Sequence, residues 1–79
     1  MGGIKPIPRE RFDKFLKSVG CRLLRGKGDH RVYTRSGLKR PVVIPRKELP
    51  VFIIRNNLKL LNIDTKEYLK IIQKHDHRD

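Results

Sequence analysis

The spacing of apolar positions changes along this chain and divides it into short helices and strands. Phe12, Phe15, Leu16 and Val19 recur at i, i+3, i+4 and i+7, the signature of one buried helical stripe. Pro8 suits the first turn of that helix and Gly20 suits its C-terminal stop. Ahead of it, residues 1–7 read as an extended lead-in. Residues 21–25 predict a short strand, followed by a tight turn or bulge at Gly26-Lys27-Gly28. Residues 30–34 predict a second strand, with His30, Val32 and Thr34 on one face and Arg31 and Tyr33 on the other. After a turn at Ser36-Gly37, Pro41 and Pro45 bracket Val42, Val43 and Ile44, a third strand at an edge or strand end. Pro50 opens a second helix with Val51, Ile54, Leu58 and Leu61 on one face, and Asn62 and Ile63 close it. Asp64 and Glu67 have capping-box spacing ahead of a third helix over residues 64–74, striped by Tyr68, Leu69 and Ile72. Residues 75–79 read as a polar tail that frays. The predicted order is αβββαα, an α+β fold with helices on one face of a three-stranded antiparallel sheet.

With 79 residues and 37% hydrophobic content, the expectation is one domain, residues 1–79, built on one core. Cys21 is the single cysteine, so no intramolecular disulfide forms and a reducing, cytoplasmic setting is expected. The longest apolar run, residues 51–54, is far too short for a membrane span or a signal-peptide core. The Met1-Gly2-Gly3 start lacks the Ser or Thr that lipidation needs, because Pro6 stands in its place.

Charge narrows the field. The net charge is +12, and between residues 13 and 48 Asp29 is the only acid among eleven lysines and arginines. Such an excess favours a polyanionic partner, since each neutralised phosphate releases condensed counterions. Nucleic acid is the first candidate; a solvated face that aids solubility is the plainer one. An anionic membrane is disfavoured because the cations fall on strands and turns instead of one amphipathic helix.

Few chemistries remain. His75 and His77 stand far from Cys21 with no metal-binding spacing, so neither a metal nor any other cofactor is expected. Cys21 reads as a small apolar residue on a buried strand, not as a nucleophile. There is no Gly-rich loop of the kind that cradles nucleotide phosphates. What is left is Gly26-Lys27-Gly28-Asp29-His30-Arg31, an imidazole at the start of a strand among cations. Imidazole exchanges protons near neutral pH, and RNA carries its own nucleophile in the 2′-hydroxyl, so cleavage needs no metal. Arg25, Lys27 and Arg31 are suited to holding the phosphate as it gains negative charge. Taken alone, a strand histidine is more often a surface or core residue than a catalyst.

An ordered set of motifs adds to this. Val19-Gly20-Cys21 closes the first helix, Lys27-Gly28-Asp29-His30 opens the second strand, Val42-Val43-Ile44-Pro45 forms the third, and Lys47-Glu48-Leu49-Pro50 leads into the second helix. In order and spacing over residues 12–63 this resembles the HicA toxin family. The resemblance implies a fold similar to double-stranded-RNA-binding domains and a metal-independent ribonuclease that cuts mRNA. It also implies control by a neighbouring antitoxin, HicB. It assigns the catalytic role to His30 and makes Gly28 the glycine that lets the backbone approach a phosphate. The chain departs from the pattern at Asp29, where many members have Ser, and in the helix beyond Asp64. A non-catalytic double-stranded-RNA-binding module is the alternative with the same fold.

Overall fold

The computed structural model describes residues 3–76. The chain runs β1 (Ile7–Pro8), α1 (Arg9–Ser18), β2 (Arg22–Lys27), β3 (His30–Thr34), β4 (Val42–Ile44), β5 (Glu48–Leu49), α2 (Val51–Leu61) and α3 (Thr65–Asp76). It is the α+β arrangement expected from the spacing, with β2, β3 and β4 as an antiparallel sheet in that order. Prolines stand at the N-caps of α1 and α2, where no helical N–H is lost to them.

Helices α1 and α2 stop in the same way. Gly20 N–H donates to the Lys17 carbonyl and Cys21 N–H to that of Leu16, with Gly20 at φ +92°. This is a Schellman motif, which needs a left-handed residue just past the helix. Asn62, at φ 60°, does the same for α2, with Ile63 N–H reaching the Leu58 carbonyl. Arg35 ties the two helix ends together, donating to the carbonyls of Val19 at 2.9 Å and Leu61 at 3.2 Å. A cation suits both ends, because the unpaired carbonyls there carry partial negative charge. At the start of α3, Asp64 Oδ1 accepts the Glu67 N–H at 2.9 Å, one half of the expected capping box.

The core lies between the inner face of the sheet and the helices. Tyr33, Val42 and Ile44 meet Phe12, Phe15 and Leu16 of α1, Ile54 and Leu58 of α2, and Tyr68 and Ile72 of α3 in one apolar cluster. Phe15 and Tyr68 pack edge to face at 4.9 Å, so α3 is a structural part of the core.

Four features differ from the sequence reading. Strand β2 runs on through Gly26 and Lys27, so the turn is only Gly28 and Asp29. The irregularity in β2 falls at Leu24, between Leu23 paired with Tyr33 and Arg25 paired with Val32. The lead-in is anchored: Ile7 pairs with Leu49 and Pro8 with Glu48, a second two-stranded sheet that clasps the start of α1. At the other end α3 continues through Asp76, past the expected stop at 74, and residues 77–79 of the expected tail lie outside the described residues.

Candidate functional site

Lys27 pairs with His30, so the hairpin between β2 and β3 turns through only two residues. Gly28 has φ +59° and Asp29 has no positive φ, the pattern of a type II′ turn, whose twist matches that of the strands. An added Cβ on Gly28 would meet nothing within 4 Å, so glycine is required by the backbone angle and not by crowding. The turn is tethered from below: Nη1 of Arg9 donates to the Asp29 carbonyl at 3.0 Å.

Register decides which side chains share a face. Residues directly opposed in an antiparallel ladder have Cβ atoms about 5 Å apart and point the same way. His30 and Lys27 form such a pair, and Arg25 with Val32 is the next on that face. The bulge at Leu24 then resets the alternation, so that Arg22, opposite Thr34, joins the same side. Three cations, Arg22, Arg25 and Lys27, therefore line the outer face of β2 beside His30, and all four are exposed. The helices cover the other face at Tyr33, Val42 and Ile44, which leaves this one open to a large ligand.

Arg31 does not belong to this group. It faces the core side with Tyr33, opposite Gly26, and its guanidinium reaches the Tyr33 hydroxyl. That hydroxyl donates to the carboxylate of Asp13, which also pairs with Lys17 at 3.2 Å. Burial, followed by the Asp13 carboxylate, pushes the Tyr33 phenol up to about 12, with Arg31 pulling the other way. A neutral tyrosine behind the sheet is no proton-transfer partner for an imidazole in front of it. Cys21 is also buried, and burial raises its thiol pKa against the field of Arg35, so it stays an unreactive thiol.

The four site residues drawn together, Arg25, Lys27, Gly28 and His30, were all named from sequence. Arg9 and Arg22 were not. Arg22 reaches the outer face through a bulge that no spacing rule reveals. Arg9 did leave a trace, since it precedes Phe12 by three and Leu16 by seven and so sits on the buried stripe of α1. Among the described residues no helix is long and apolar enough to cross a membrane. A protein-family model described as the HicA toxin of bacterial toxin-antitoxin matches residues 9–63, from the first residue of α1 to just past the end of α2. No curated protein and no solved structure matches the chain.

Proposed function

Because the chain belongs to the HicA toxin family of bacterial toxin–antitoxin systems, we propose that it acts as a metal-independent endoribonuclease that cleaves mRNA in the cytoplasm, with His30 as its catalytic residue. The observation that carries this reading is the pairing of His30 with Lys27 on an exposed sheet face that also bears Arg25 and Arg22. A ribose and its phosphate fit such an open cationic face, where an enclosed pocket would exclude a polymer.

In the proposed mechanism His30 takes the proton of a ribose 2′-hydroxyl, whose oxygen attacks the adjacent phosphorus. The bond to the 5′-oxygen breaks, and that oxygen leaves with a proton. The products are a 2′,3′-cyclic phosphate and a 5′-hydroxyl end. Lys27 and Arg25 hold the phosphate as negative charge builds on it, and Gly28 lets the backbone come close. With Tyr33 turned away, the second proton comes from Lys27 or water. Arg31, on the core side with Tyr33, takes no part in holding the phosphate. The antitoxin partner is a HicB-like protein that neutralises this positive face.

The test is incubation of purified protein with total RNA in EDTA. The wild type should produce fragments, and His30→Ala should leave RNA whole while keeping the native fold by circular dichroism. General acid–base catalysis by one side chain contributes about 10²–10⁴-fold, so the expected loss is of that order. A His30→Ala protein cutting at the wild-type rate rejects the assignment; intact RNA with a retarded band for the wild type identifies a non-catalytic RNA-binding module instead.

A further inference from the structure

Arg9 is the first residue of α1 and is only 6% exposed, one of two buried polar residues among those described. Its backbone N–H donates to the Lys47 carbonyl at 2.7 Å, and Nη1 donates to the Asp29 carbonyl at 3.0 Å. Nε is buried with no hydrogen-bond partner, and no carboxylate among the described residues lies within ion-pair distance of the guanidinium. Burying a cation without a counter-ion is unfavourable, because the water it loses is not replaced by an opposite charge. An apolar residue on this stripe would satisfy α1 equally well. What the arginine adds is a charge-assisted hydrogen bond to one carbonyl, and that carbonyl belongs to the peptide joining Asp29 to His30.

Position makes this bond matter. Gly28, Asp29 and His30 are all exposed, and every residue of β2 is exposed as well, so packing does little to fix the end of the hairpin. Among the described residues, Arg9 supplies the one side-chain hydrogen bond to that turn. Guanidinium suits the task because it is planar, rigid and more weakly hydrated than an ammonium, so it tolerates burial while keeping one arm on the carbonyl. Its backbone bond to Lys47, together with the clasp of β1 on β5, anchors it at the other end.

We propose that Arg9 is the positioning residue of the His30 turn: its buried guanidinium fixes the Asp29–His30 peptide and so holds the imidazole in register with the phosphate on Lys27 and Arg25. The proposal rests on the ribonuclease reading above. Arg9 touches no substrate. Its effect is on the rate of the chemical step and not on RNA binding, which the exposed cations provide.

The experiment compares wild type, Arg9→Met, Arg9→Lys and His30→Ala by steady-state cleavage of a short RNA. RNA affinity, thermal melting and the order of the His30 backbone amide by NMR relaxation are measured alongside. Arg9→Met keeps the aliphatic bulk and removes the donor. A misplacement of about 1 Å at a catalytic group costs on the order of a hundredfold, so kcat should fall by about that much while RNA affinity holds. The His30 amide should become more mobile, and Arg9→Lys, which keeps a donor, should recover part of kcat. Unchanged kcat and an equally ordered His30 in a folded Arg9→Met protein overturn the proposal. So does a loss of activity and affinity together in step with the folded fraction, or a failure of both Arg9 variants to fold, either of which makes the arginine a general support of the fold. If the wild type itself does not cleave RNA, the ribonuclease reading fails, and the His30 amide still tells whether Arg9 holds the turn.

Discussion

Both tyrosines of the chain, Tyr33 and Tyr68, are buried, and their phenols are pushed from the ordinary value of 10.0 up to about 12. For Tyr68 burial is the leading cause, opposed by the nearby Arg11. Below about pH 10 each phenol keeps its proton in folded and unfolded chains alike, so neither makes stability depend on pH. Between about pH 10 and about pH 12 the unfolded chain releases the two protons while the folded chain retains them. The folded state then binds more protons, and stability falls as pH rises through that window. Thermal melts should therefore shift downward across it, and tyrosinate absorbance in the native protein should titrate late, with the loss of structure. A tyrosinate signal that develops near pH 10 with the fold intact, at either ring, disproves the burial argument for that residue.

The hairpin formed by β2 and β3 is the element on which the site depends, and its weak point is the left-handed Gly28. A side chain at this position meets open space, so the cost of Gly28→Ala is backbone strain alone, about 1 kcal/mol. Gly28→Asn should cost less, because asparagine tolerates the left-handed region better. Chemical denaturation of the two variants measures this directly; equal stability for wild type and Gly28→Ala would contradict the turn geometry. How far such elements can be read from sequence follows from their periodicity. The stripe of α1 and the alternation of His30, Val32 and Thr34 against Arg31 and Tyr33 are visible in the residues alone, and the latter already separates Tyr33 from His30. The extension of β2 to Lys27 is not, since a pair of glycines two residues apart marks a turn without fixing which residues form it. Strands β1 and β5 have two residues each, and β1 includes a proline, so they are too short for any period to show. Arg9 was hidden for a different reason: a charged residue at a helix start reads as solvated unless its tertiary partner, a carbonyl twenty residues away, is known.

For the molecule as a whole, the net charge of +12 includes three exposed cations gathered on one open sheet face. If Arg22, Arg25 and Lys27 each contact one phosphate of a single strand, the logarithm of the association constant should fall with that of salt at a slope of about −2. Lys27→Ala should reduce the slope by about 0.7 and weaken binding across all sequences alike, as fluorescence anisotropy with labelled RNA would show. A salt-independent affinity would remove these cations from the interface. The same strand, β2, is also an outer edge of its sheet, with its backbone groups on one side unpaired. Edges of this kind template a second strand and seed aggregation unless something spoils the match. The irregularity at Leu24 breaks the even repeat that a neighbouring copy would need, and the like charges on either side repel it. The charges that we propose hold RNA thus also guard an exposed strand, and a partner that masks them must itself cover that edge to keep a second strand from pairing there.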